Sequence, residues 1–134
     1  MDLKIIKIAS NIENNRILND YTEKLKNKSS FCGDEIEISL KIKNHKIIDF
    51  GYQSKSCIYC EAAASMLSHQ CKKKSIIKIK SLIKNTENFF ENPSIKLPNE
   101  WHKFVEIVNK NNLSRKECIM LPFSVLSKLI KNYE

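Results

Sequence analysis

Five cysteines and one well-placed carboxylate are the residues of this chain with chemistry to offer. The cysteines are Cys32, Cys57, Cys60, Cys71 and Cys118, at spacings of 25, 3, 11 and 47 residues. An odd, uneven set with no export signal argues against a disulfide framework. Cysteines outside disulfides serve as core packers, metal ligands or nucleophiles. Cys57 and Cys60 form a Cys-x-x-Cys within "SKSCIYCEAAASML". That spacing fits a dithiol redox pair, half of a zinc knuckle, or one ligand beside a cysteine that only packs. No two-knuckle zinc pattern is present, so a metal site would draw its ligands from distant segments.

Each cysteine has its own setting. Cys32 lies in "FCGDEI", where Gly33 frees the backbone to turn and Asp34 sets a carboxylate two residues from the thiol. A thiolate and a carboxylate so close are good divalent-metal ligands; a turn with an incidental cysteine is the bland alternative. Cys57 opens a helix, where unpaired amides and the helix dipole favour a thiolate; its bland alternative is a buried cysteine. Cys60 falls one turn further along, near the same face. The usual redox motif follows a strand in an alternating βαβ order, which this chain lacks. Cys118 opens the last helix. Cys32, Cys57 and Cys118 thus each stand where a loop meets an element, and such junctions converge on one end of a small α+β domain. Cys71, in the Lys-rich "CKKKS", reads as structural. His45, His69 and His102 read as solvent-facing.

The elements that must position these residues follow from periodicity. Residues 3–11 are compatible with a helix, and the polar stretch 20–31 has room for a short edge strand. In "DEIEISLKIK", Ile36, Ile38, Leu40 and Ile42 alternate with polar residues, the period of a strand with one buried face. "KNHK" is a turn, and Ile48, Phe50 and Tyr52 share a face of the returning strand. From Cys57 the period becomes helical: Ile58, Ala62, Met66 lie on one line and Tyr59, Ala63, Leu67 on the next. Ser75 caps a further helix with Ile76, Ile79, Ile83 and Phe90 inward, although its first half also fits a strand. "ENPSIKLP" is a loop. "NEWHKFVEIVNK" predicts a helix capped by Asn99, with Trp101, Phe104, Val105 and Val108 on one face. "SRKE", Ser114 to Glu117, has the form of a capping box. It opens a helix that turns Cys118, Leu121, Val125, Leu126 and Leu129 inward; Pro122 offers a competing first turn. Strands first and helices after make the class α+β.

Bulk properties bound the function. A chain of 134 residues, 42% hydrophobic and 28% charged, suits one globular domain, residues 1–134. It has no apolar run long enough to span a bilayer and no signal or organelle presequence, so a cytoplasmic protein with no membrane partner is expected. The net charge of +8 raises nucleic-acid binding. The lysines, however, are spread along the chain with no interleaved aromatics to stack bases, so no nucleic-acid partner is expected.

Three segments together resemble a known family. "CGDEIEISLKI", then "CIYCEAAASML", then "RKECIMLPFSVL" resemble the IscU, SufU and NifU N-terminal family of iron–sulfur cluster assembly scaffolds. The likeness is dense over residues 32–68 and 113–130. It implies a small three-stranded antiparallel sheet with helices packed on it. It also implies that Cys32, Cys57 and Cys118 are ligands with Asp34 as the nearby carboxylate, and that Cys60 packs. The implied work is a carrier's and not an enzyme's. Sulfur comes from a pyridoxal-phosphate cysteine desulfurase, with Cys118 the candidate persulfide acceptor. A transient [2Fe-2S] cluster is built and passed to recipient apoproteins, on a monomer or weak dimer. The alternative is a SufU-like sulfur acceptor or relay that holds Zn2+. Departures bear on the choice. "QSKSC" replaces the family's glycines before the second cysteine, and Glu117 stands where relatives carry His or Lys. "NNLSRKEC" replaces the Leu-Pro-Pro-Val-Lys segment that docks a chaperone. Arg115 and the stretch near 92–112 lean toward SufU.

Overall fold

The computed structural model describes residues 2–30 and 33–133. Its order is α1 (Leu3–Ala9), β1 (Glu23–Lys28), β2 (Glu35–Lys43), β3 (Lys46–Lys55), α2 (Ile58–Gln70), α3 (Ile76–Glu91) and α4 (Lys116–Ile130), with 3-10 segments at Asn99–Glu106 and Lys110–Arg115 before α4. The strands form one antiparallel sheet in the order β1-β2-β3. This is the α+β class that the sequence predicts. No helix among the described residues is long and apolar enough to cross a membrane.

Alternation builds β2 as expected: Ile36, Ile38 and Leu40 are fully buried. Ser39, on the opposite face, is buried too. The chain before β1 crosses that face: the Leu18 amide donates to Ser39 Oγ at 3.0 Å, and Asn15 bridges to Tyr52. Gly51 faces the Arg16 carbonyl so closely that a Cβ would collide with it. The β2–β3 turn uses Asn44 and His45, both at positive φ, as a two-residue turn matched to strand twist requires. β1 is an edge strand carrying Lys24, Lys26 and Lys28, charges that discourage further pairing.

Three expectations are corrected. Ile48 does not share the inner face with Phe50 and Tyr52. Lys41 pairs with Asp49 while Ile42 pairs with Ile47, so Ile48 is the extra residue of a bulge. The bulge shifts the phase, burying Ile47 and leaving Ile48 39% exposed. The segment after Ser75, by contrast, forms the expected helix over Ile76–Glu91, with the Ser75 N-cap Oγ accepting the Lys78 amide. The predicted 99–110 helix is instead 3-10 with a kink at Trp101. Pro98 precedes it, and Asn99 makes no cap. Trp101, Phe104 and Val108 are buried there, but Val105 is half exposed. The capping box does not form either. Ser114 already lies inside the 3-10 turn, and α4 begins after Arg115 without a side-chain cap. Pro122 therefore sits inside α4, not in its first turn.

Helix α2 is the axle of the fold. It packs against α1, α4 and β3, and every residue from Ala62 to Ser68 is buried. A helix enclosed all round has no single apolar stripe. The small Ala62, Ala63 and Ala64 let neighbouring backbones approach closely. Its N-terminus, like that of α4, leads to the β1–β2 loop.

Candidate metal centre

The site is built from three chain segments. The β1–β2 loop is closed by two backbone bonds: Gly33 N–H to the Ser29 carbonyl at 3.2 Å, and Ser29 N–H to the Asp34 carbonyl at 2.7 Å. Gly33 adopts φ 73°, a left-handed turn that glycine makes without a Cβ penalty. The turn delivers Asp34 inward, 6% exposed. Asp34 Oδ1 accepts the Cys57 amide at 3.1 Å.

That contact caps α2 from outside. Cys57 is the N-cap residue, in extended conformation, and its own side chain makes no cap bond. The Asp34 carboxylate satisfies an amide at the helix start, which leaves the Cys57 sulfur for other use. Cys118, 8% exposed, is the third residue of α4. Both residues therefore stand at the first turn of a helix, beside Asp34.

The ligand atoms of Asp34, Cys57 and Cys118 all lie within 4.8 Å of one another. Two thiolates on one tetrahedral metal stand roughly 3.8 Å apart, given bonds of about 2.3 Å, so only small side-chain adjustments separate this arrangement from coordination. Asp34 Oδ2 is buried and has no hydrogen-bond partner among the described residues. An orphaned carboxylate oxygen is costly, and a cation beside it removes that cost. The donor set of soft sulfur and hard oxygen fits zinc or iron.

Cys32, the remaining sequence-predicted ligand, lies outside the described residues. Cys60 is fully buried on the first turn of α2. Cys71 is fully buried at the C-cap of α2, and burial pushes its thiol up to about 12. It is the structural cysteine that its context suggests. His45 and His102 are exposed. His69 is not simply solvent-facing: its Nδ1 lies 2.9 Å from the Ser65 carbonyl and its Nε2 3.4 Å from Glu13 Oε2. That group belongs to a buried polar network with Asn14 and Ser68 at the far end of α2.

Two features of the rim escaped the periodicity. Tyr59, assigned to a packing stripe, is only half buried, and the Arg115 guanidinium lies 5.0 Å from its ring centre. This stack joins the N-terminal regions of α2 and α4, between which the cysteines sit. Glu117 lines a cleft of about 230 Å³ with Lys28, Ser29 and Met120. The Arg115–Tyr59 pairing is non-local, and only the residue types hint at it.

A small α+β domain that gathers cysteines and a carboxylate at the rim between two helix starts is a metal-handling scaffold in form. The chain belongs to the NifU-like N-terminal domain family, which matches residues 2–134 and includes the iron–sulfur cluster assembly scaffolds. It is 27% identical over 119 residues to the iron–sulfur cluster assembly scaffold protein IscU of Thermotoga maritima, covering 85% of this chain and 80% of that protein. The fold matches a NifU-like N-terminal structure from Brucella abortus with TM-score 0.85 at 16% identity, covering 97% of this chain and 91% of that one. It also matches a Fervidobacterium islandicum protein described as a cluster assembly scaffold for the SUF system, with TM-score 0.79, 19% identity and coverage of 97% and 96%.

Proposed function

We propose that this protein is a carrier in iron–sulfur assembly. It accepts sulfur from a pyridoxal-phosphate cysteine desulfurase and hosts a transient [2Fe-2S] cluster as cargo. It then yields that cluster to recipient apoproteins. Cys57, Cys118 and Asp34 hold the cargo together with Cys32, which joins the set through its place two residues before Asp34. Cys118 is the persulfide acceptor.

The observation that carries the reading is the meeting of Cys57, Cys118 and Asp34, with Asp34 Oδ2 buried and unpartnered among the described residues. Thiolates suit iron–sulfur chemistry because sulfur is a soft ligand. An oxygen in place of a fourth thiolate makes a weaker hold, which a donor of clusters requires. Cys57, only partly buried at the rim, leaves the cargo within reach of other proteins.

The second reading is a zinc-holding sulfur acceptor. Three thiolates and one carboxylate complete a closed tetrahedral shell, and Glu117 departs from the His or Lys of relatives. Zinc would hold the thiols deprotonated until a sulfur donor arrives.

Anaerobic reconstitution separates them. The protein is mixed with ferrous iron, cysteine, reductant and a desulfurase, and visible absorption is followed for wild type, Cys118→Ser and Asp34→Ala. Charge-transfer bands that grow in wild type, fail in Cys118→Ser and transfer to an apo-ferredoxin support the carrier. A flat spectrum with one tightly held zinc favours the second reading. A flat spectrum with no metal retained refutes both.

A further inference from the structure

The inference rests on the sulfur-accepting reading just given. A desulfurase hands over sulfane sulfur, whereas the bridging sulfur of a cluster is sulfide, two electrons more reduced. A dithiol at the receiving site could supply those electrons, and this site has one. Cys57 is the N-cap of α2 and Cys60 is the third residue of the helix. Helical Cα atoms three residues apart stand about 5 Å from each other, inside the span of roughly 4.4–6.8 Å that a disulfide bridges. Both residues are present as thiols. Cys57 is partly buried and Cys60 fully buried, so external oxidants reach Cys57 first and Cys60 chiefly through it. Asp34 Oδ2, without a hydrogen-bond partner among the described residues and with its sister oxygen holding the Cys57 amide, marks the same spot independently as built to receive something.

We propose that Cys60 is a resolving thiol that converts sulfane sulfur on Cys57 into sulfide. Sulfur first accepted by Cys118 reaches Cys57 by exchange, the two ligand sulfurs lying within 4.8 Å. The Cys57 thiolate attacks the outer sulfur of the Cys118 persulfide, and Cys118 leaves as a thiolate. Cys60, shut off from water, then passes its proton to the outer sulfur of the ionised Cys57 persulfide as its own sulfur attacks Cys57 Sγ. A Cys57–Cys60 bond forms, the bond from Cys57 Sγ to the outer sulfur breaks, and that sulfur departs with the electron pair as hydrosulfide. The dithiol is oxidised to a disulfide and the sulfane sulfur is reduced. A reducing dithiol of the thioredoxin class then resets the pair.

The test uses the metal-free 134-residue protein, loaded anaerobically with inorganic polysulfide and desalted. Released sulfide and intact mass are followed without reductant for wild type, Cys60→Ser and Cys60→Ala. Wild type is expected to release sulfide as it loses two hydrogens, with peptide mapping placing a disulfide between Cys57 and Cys60. The variants are expected to keep the added sulfur on Cys57 or Cys118 and release sulfide at least about tenfold more slowly. The wild-type disulfide map stands by itself if a variant folds poorly. Equal release from the variants, or wild type that keeps its sulfane sulfur, overturns the role of Cys60 and leaves the acceptor reading intact. If no sulfur loads on Cys57 or Cys118 in any form, the acceptor reading falls, and this inference falls with it.

Discussion

Helix α2 carries a cysteine at each end, and the two ends differ in almost every property. Cys57 at the N-cap is partly buried and faces Asp34 and Cys118. Cys71 at the C-cap is fully buried. There the dipole opposes an anion, and burial pushes its thiol up to about 12, with Lys74 only partly offsetting it. The side chain is the same, so what makes one end chemical is position along the helix and access to water. Around Cys71 the chain builds a core; around His69 and Asn14 it builds a partly buried polar network.

The sharpest way to break that contrast is to titrate the thiols. With metal removed and the fold intact, iodoacetamide at pH 7.5 is expected to alkylate Cys57 at least about a thousandfold faster than Cys71. The margin combines the loss of thiolate at a raised pKa with the loss of access. Peptide mapping by mass spectrometry reads both rates. Comparable rates would mean that the far end of α2 opens readily and that the two ends are not distinct.

A second measurement asks whether the carboxylate is a ligand or merely a cap. Asp34→Asn keeps an oxygen to accept the Cys57 amide but loses the charge. Its thermal stability should stay close to wild type, while metal retention in a chelator competition drops by about tenfold to a hundredfold or more, a scale set even by groups one step removed from a metal. Asp34→Ala loses the cap as well, at an added cost of about 1 kcal/mol in folding. If Asp34→Asn holds metal as tightly as wild type, the carboxylate only caps the helix.

The third concerns pH at the buried end. The Cys71 thiol ionises near 9 when unfolded and near 12 when folded. Its neutral form is therefore favoured by folding. That contribution is complete below pH 9 and is lost as pH rises toward 12, because only the unfolded chain gives up the proton. Between pH 9 and 11 the loss amounts to about 2 kcal/mol. Wild type should lose stability between pH 9 and 11 faster than Cys71→Ala by that margin in urea unfolding, since other titrations are common to both. Parallel curves would show Cys71 to be solvated.

How much of this was legible depended on the range of the interaction. Local signals carried far: the alternation from Ile36 to Leu40, the change of period at Cys57, and the placement of Cys57 and Cys118 at element starts. Local signals failed wherever a distant segment intervened. The chain crossing over Ser39 and Gly51 buries an outer face that alternation assigns to solvent. One extra residue at Ile48 reverses the phase of a strand whose composition gives no warning. "SRKE" has the letters of a cap, yet the preceding 3-10 turn has already used Ser114. The Asp34–Cys57 amide bond joins residues 23 apart, so proximity had to come from the fold. Cys32, proposed on the same grounds as Cys57, lies outside the described residues.

The smallest expected effect lies at the rim of the reactive end. Arg115 rests on Tyr59 at 5.0 Å, and an exposed cation–π contact contributes about 0.5–1 kcal/mol. Arg115→Ala should therefore lower the melting temperature only slightly. The pair also ties the start of α4 to the start of α2, so its loss should loosen the spacing of Cys57 and Cys118. Arg115→Lys restores a cation without the planar face that stacks on a ring. If the stack positions the sulfurs, both variants should weaken metal retention more than they weaken the fold, with Lys intermediate, in paired chelator and thermal measurements. If both quantities fall in proportion, the stack merely stabilises the domain. The contrast between the two ends of α2 would then rest on Asp34 and on burial alone.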